Sequence, residues 1–169
     1  DCLNMIALGG KMLTNNLTRP KGTDYKLEEG YPIYAEPNAI VFCVKPGLLK
    51  EAKDMMTAKG LIYGHSAPTS GPGSAFIFTK ELLGFQTEKM IWGFEGDAAS
   101  GLALIRDELN IVGQSTAGYN AGLKGFADKG TVVPIFQLGL LDAKGDLTKE
   151  PAAPNVPTVK ELYMQIFGR

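Results

Sequence analysis

The chain has 169 residues, enough for one ordinary domain or for one lobe and part of another. It is 44% hydrophobic and 21% charged, as globular proteins are, and a net charge of −1 supplies no basic field for nucleic acid or an anionic membrane. No apolar run approaches the roughly 20 residues that a membrane span needs. In chain order, Leu3 to Leu8 reads as a short buried strand closed by Gly9-Gly10, and Lys11 to Leu17 as a short helix. Residues 19–30 are polar and read as a surface connection. Ala39 to Val44 is an apolar strand, and Pro46-Gly47 turns the chain. Leu48 to Ala58 has apolar residues at helical spacing and stops at Gly60. Leu61 to Tyr63, Lys89 to Trp92, Leu109 to Val112 and Thr131 to Leu138 read as strands. Between and after them, helices are expected over about 74–83, 98–106, 117–127 and 158–167. Asp97 is expected to cap the second of these, and Thr158 with Glu161 fits a capping box on the last. Cys2 and Cys43 read as separate buried thiols, with a single disulfide as the alternative. The chain begins at Asp1 without a charged-then-apolar leader, as a mature secreted protein or a trimmed one would.

The stretch from Tyr63 to Ser74, Tyr-Gly-His-Ser-Ala-Pro-Thr-Ser-Gly-Pro-Gly-Ser, joins a strand to a helix through a Gly- and Ser-rich loop. Such a loop presents unpaired helix N–H groups and the positive end of the helix dipole, which favour an anion. Strands and helices alternate along the chain, so the fold class is α/β with a mostly parallel sheet. Ligands of such sheets lie beyond the carboxyl ends of the strands. Four loops take that place: Gly9-Gly10, Gly64 to Ser74, Gly93 to Asp97 and Gly113 to Thr116. The candidate ligand contacts are therefore Gly9, Gly10, the hydroxyls of Ser66, Thr69, Ser70 and Ser74, the close-approach amides of Gly71 and Gly73, and Gly96, Asp97 and Gln114.

Other chemistry is set aside. Gly64-His65-Ser66-Ala67-Pro68 departs from the nucleophile elbow at Pro68, and His65 is the chain's one histidine. Adjacent strand residues face opposite ways, which argues against His65 serving Ser66 in a triad. No glycine precedes Lys-Ser or Lys-Thr as in a P-loop, and Phe76 takes the third glycine position of a dinucleotide fingerprint. One histidine and two distant cysteines make no zinc site. No catalytic constellation, metal or cofactor is expected.

Several segments together resemble the periplasmic solute receptors of tripartite tricarboxylate transporters, the Bug proteins. Leu61-Ile62-Tyr63-Gly64 with Ser70-Gly71-Pro72-Gly73-Ser74 is similar to that family's strand and glycine loop. Phe94-Glu95-Gly96-Asp97-Ala98-Ala99 and Leu109-Asn110-Ile111-Val112-Gly113-Gln114 match more loosely. Pro154-Asn155-Val156-Pro157-Thr158-Val159-Lys160-Glu161 is the most specific match. The resemblance implies a periplasmic-binding-protein-like (type II) lobe plus part of a second lobe, closing on a small carboxylate. It implies a periplasmic location, with transporter subunits as partners. The divisions expected are 1–38 and 134–169 in one lobe and 39–133 in the other. His65 to Thr69 lengthens the family's loop, Glu95 stands for a common lysine and Gln114 for a common aspartate. For a fragment of such a receptor, a further expectation is a homodimer with a second copy. The alternatives are an enzyme that holds a phosphorylated or carboxylated substrate at the same loop, with Asp97 or Glu95 as base, and an interaction module.

Overall fold

A computed structural model of the protein describes residues 10–31 and 37–168. The expected strand over 3–8, together with Cys2 and Gly9, lies outside them. Helix α1 (Gly10–Thr18) opens the described chain, and a 3-10 turn follows at Leu27–Glu29. Five strands then build one sheet: β1 (Ile40–Val44), β2 (Ile62–His65), β3 (Lys89–Trp92), β4 (Ile111–Ser115) and β5 (Val133–Gln137). Their spatial order is β3-β2-β4-β1-β5. β2 runs parallel to β3 and β4, while β1 is antiparallel to both β4 and β5. The sheet is therefore mostly parallel, with one reversed strand inside it. A small hairpin, β6 (Leu140–Leu141) and β7 (Leu147–Thr148), lies apart.

The residues of β1, Ile-Val-Phe-Cys-Val, are all buried, as a strand covered on both faces requires. Alternation splits them between two cores. Ile40, Phe42 and Val44 join Tyr63, Phe76, Phe85, Phe136 and Leu162, while Val41 and Cys43 join Leu104, Leu109, Val112 and Tyr119. Cys43 is a free thiol whose pKa burial pushes far up. Pro134 lacks an N–H and lies on the outer strand β5, where β1 shifts register between Phe42 and Cys43.

Helix α2 (Gly71–Leu83) begins three residues earlier than expected. Ser70 is its N-cap, and Pro72 sits in the first turn, where a missing N–H costs no helical bond. Gly84, at φ +82°, ends it in the left-handed conformation. Its N-terminus lies close on β4, because a Cβ on Gly113 would come within 2.8 Å of Phe42 and 3.2 Å of Pro72. Tyr63 fixes the same end by donating to the Pro72 carbonyl at 2.8 Å, while its ring stacks on Phe76 with centroids 3.8 Å apart. Helix α3 (Gly96–Ile105) follows β3. After β4 come α4 (Thr116–Gly118), a π-turn over Tyr119–Leu123 and α5 (Lys124–Asp128).

The helix expected over 48–58 is a correction: only a 3-10 turn forms, at Ala52–Met56. Asp54 accepts from the amides of Lys50 and Glu51, so the segment closes on itself after one short turn. Helix α6 (Val159–Phe167) carries the expected capping box, with Thr158 Oγ1 accepting from the Glu161 amide at 3.2 Å and Glu161 accepting from the Thr158 amide at 2.8 Å. Thr158→Ala should cost about 1 kcal/mol, read as a lower urea midpoint at unchanged slope; an unchanged midpoint would remove the cap from the account. β5 and α6 pack in the same core as β1, although both lie beyond residue 133. No helix among the described residues is long and apolar enough to cross a membrane.

Candidate functional site

The chain passes from β2 to β3 on one side and then returns to β4 on the other, so the winding reverses between β2 and β4. Both strands point the same way, and ligands of wound sheets lie in the crevice beyond the carboxyl ends at such a reversal. Here those ends are His65 and Ser115. Three of the four loops expected at the site meet there through hydrogen bonds.

His65 is the hub. It is 3% exposed. Its Nδ1 lies 3.1 Å from Ser66 Oγ and 3.0 Å from Ser70 Oγ, and its Nε2 lies 2.9 Å from Asp97 Oδ1. Asp97 Oδ2 accepts from the Ser115 amide at 3.1 Å and from the Ser115 hydroxyl. Ser115 Oγ in turn accepts from the Gly118 amide at 3.0 Å. Burial raises the Asp97 pKa, but the bonds from His65 and Ser115 outweigh it and hold the carboxyl below its ordinary value. An ionised carboxylate only accepts, so the proton between Asp97 and His65 belongs to Nε2. Burial and the Asp97 charge push the Tyr63 phenol upward, so it keeps its proton for Pro72.

Two expectations are corrected by this arrangement. Asp97 does not cap α3: Glu95 is at the N-cap without a side-chain bond, and Asp97 turns to His65 and Ser115. His65 and Ser66 do not point apart either. Strand alternation stops at His65, the last residue of β2, and the chain bends so that the two side chains meet.

The helix openings are also less bare than expected. Ser70 Oγ accepts from the Gly73 amide at 3.1 Å and donates to the Ala67 carbonyl at 2.7 Å. Ser74 Oγ donates to the carbonyls of Ser70 and Gly71. Pro72 has no N–H. At the α2 opening this leaves the Gly71 amide and the Thr69 hydroxyl without a partner among the described residues, and beside them the part-exposed Ser66 hydroxyl, 3.1 Å from His65 Nδ1. Gly73 serves packing, since a Cβ there would fall well inside contact with the Ala67 carbonyl oxygen. Gly96, at φ +75°, opens α3 and accepts from Ser100 Oγ through its carbonyl. Gln114 lies in β4 instead of a loop; it is 1% exposed and donates to Ser100 Oγ at 3.1 Å beneath α3. Gly10 is the first residue of α1, whose described hydrogen bonds run to the 25–28 segment and not to these loops. Glu95 is exposed.

Residue types alone did not mark His65 as the hub, did not single out Ser115 and Thr116 within the expected Gly113 to Thr116 loop, and missed Glu150. The lone histidine at the mouth of a Ser-rich loop was the available signal. Glu150, 3% exposed, accepts from Thr116 Oγ1 at 2.7 Å, and Thr116 in turn bonds Asn38 and Ala39. That lip joins the start of β1 to the end of β4. A depression of about 500 Å³, lined by Leu82, Val159, Lys160, Tyr163 and Met164, lies on α2 and α6, away from this cluster. Its lining is largely apolar, with Lys160 its one charged residue. Among the described residues no three His, Cys, Asp or Glu side chains are grouped to hold a metal.

No protein-family model matches the chain, and no curated protein does. Solved structures share its fold. A periplasmic transporter aligns over 95% of this chain and 52% of its own, with a TM-score of 0.69 and 15% identity. A TctC solute-binding protein from Polaromonas, without ligand, aligns over 91% and 50%, with a TM-score of 0.66 and 16% identity. MatC from Rhodopseudomonas palustris, with bound malate, aligns over 90% and 50%, with a TM-score of 0.64 and 15% identity. The chain spans about half the length of these structures. Its fold is that of a periplasmic-binding-protein-like lobe.

Proposed function

We propose that the protein captures a small carboxylate at the carboxyl ends of β2 and β4, as an extracytoplasmic solute-binding component of a tripartite tricarboxylate transporter. The observation that carries this reading is the polar cluster at the sheet's reversal point. Three loops are tied there around His65, with the Gly71 amide, the Thr69 hydroxyl and the part-exposed Ser66 hydroxyl at their edge. The solute-binding proteins of the same fold, one of them holding malate, support the carboxylate and the periplasmic setting. In this reading the lobe runs from about residue 39 through β5 and α6, and residues 1–38 belong with the other lobe. Nothing among these neighbours supports pairing with a second copy.

One helix-end contact contributes about 0.3–2 kcal/mol, whereas micromolar affinity needs about 8 kcal/mol. The Gly71 amide and the Ser66 and Thr69 hydroxyls must therefore act together, and closure of the second lobe would add to them. Thermal-shift and calorimetric titration with malate, succinate, citrate and benzoate tests the proposal. Saturable stabilisation is expected, about 2.7 kcal/mol at a hundredfold excess over Kd, with the acid recovered unchanged. Stabilisation by nucleotides and by none of the acids would overturn it.

One observation favours a second reading. Ser66, His65 and Asp97 form a hydrogen-bonded series of the kind that activates a serine in acyl transfer. An ester-turnover assay beside that titration separates the two: a receptor leaves an ester intact, while a hydrolase consumes it and loses that turnover in Ser66→Ala.

A further inference from the structure

We infer that His65 is a positioning residue that sets the direction of the Ser66 hydroxyl, and that capture of a carboxylate at Ser66 brings a proton onto His65. This rests on the carboxylate reading above. Proton counting leads to it. The Ser70 hydroxyl has one proton, and its shortest bond, 2.7 Å, gives that proton to the Ala67 carbonyl. The same oxygen already accepts from Gly73. His65 Nε2 donates its hydrogen bond to the ionised Asp97. With a neutral ring, Nδ1 is a bare acceptor in a 3%-exposed position, and Ser66, 3.1 Å away, is the hydroxyl left to fill it. Ser66 then shows a solute only lone pairs, which repel a carboxylate.

With a proton on Nδ1 the pattern reverses. Nδ1 donates to the oxygens of Ser70 and Ser66, and the Ser66 proton turns outward to the solute. The ring's charge also offsets that of Asp97, which otherwise stands beside the incoming anion. Among the described residues around His65 no other group supplies that switch. Asp97 is the charged group from α3, with Glu95 exposed at the head of that helix. Tyr63 on its own strand keeps its proton and donates it in a hydrogen bond to the Pro72 carbonyl. The neighbouring residues Trp92 of β3, Ser115 of β4 and 71–74 of α2 carry no titratable group that would do it. The proton comes from solvent, no covalent bond changes, and Nε2 keeps its own proton throughout.

Calorimetric titration of the chain with malate, in buffers of different ionisation enthalpy between pH 7 and 8.5, tests this where malate is almost wholly the dianion. Uptake approaching one proton per malate is expected at the alkaline end, with affinity falling there by up to about tenfold per pH unit. His65→Gln should abolish both the uptake and the slope, and Ser66→Ala should weaken binding about tenfold and remove the uptake. Malate binding with equal affinity across the range and no proton uptake would overturn the inference and leave the receptor reading intact. Absence of binding by malate, succinate and citrate at every pH would overturn both. The count on the unaltered chain decides the matter even if His65→Gln does not fold.

Discussion

Gly73→Ala should destabilise the protein by about 3 kcal/mol, against the usual sign of this change in a helix. Alanine normally stabilises a helical glycine position by about 1 kcal/mol. At Gly73, however, a Cβ would press on the Ala67 carbonyl oxygen and come within 2.8 Å of Ser70 Oγ. The carbonyl is backbone and cannot swing aside. Loop 66–70 must lift from α2, which removes the Ser70 cap and the Ser70 contact with His65. Overpacking of about 1–3 kcal/mol and cap loss of about 0.5–2 kcal/mol act together. Gly125→Ala is the control: it is helical, has open space around its Cβ, and should be neutral or mildly stabilising. Urea unfolding of the two variants compares them directly. Equal midpoints would mean that the loop does not sit on α2 as described.

Asp97→Ala should cost about 2–3 kcal/mol. The substitution leaves His65 Nε2 buried without an acceptor and strips the Ser115 amide and hydroxyl of theirs. Three loops lose their common tie. The pH dependence carries the same signature. Asp97 has a folded-state pKa below its ordinary value of 3.8. Its contribution is therefore fully present above that value and is lost as pH falls through the lower folded value. Asp97→Asn, which keeps the shape, should flatten the acid limb of stability against pH in that interval and change little near neutrality beyond a constant offset. An acid limb identical to that of the unaltered chain would show that the carboxylate is not bonded in this way.

Much of the fold was legible because local signals agreed with the packing. Lys89–Trp92 is a strand with a charged, exposed start on the sheet edge, and Thr158 with Glu161 caps α6 as the pattern reads. Alternating strands and helices implied the wound sheet. The reversed strand β1 was not legible, since an apolar run such as Ile-Val-Phe-Cys-Val carries no mark of direction. The segment 48–58 has helical spacing, yet Asp54 turns back on the amides at 50 and 51, and a short apolar period does not reveal such a closure. Gln114 was assigned to a loop because Gly113 and Ser115 flank it. In the fold, Gly113 marks the close approach of α2 to β4, and the strand continues through it.

The site was legible as a place more than as a mechanism. The Ser70–Ser74 loop, Asp97 and the end of β4 do come together, because a wound sheet gathers the carboxyl ends of its parallel strands. The division of labour among them differs. Ser70, Ser74 and Asp97 are largely spent on the protein's own amides and carbonyls, and His65 links the loops. Residue types in a row show which groups are available; they do not show which partner each group has already taken.

The most direct test is an amide NMR titration of the chain with malate. The account predicts saturable shifts that centre on Gly71, Ser66 and Thr69 and spread to His65, Asp97 and Ser115. Shifts confined to Leu82, Tyr163 and Met164 on the apolar face of α2 and α6, with the reversal point unmoved, would contradict it.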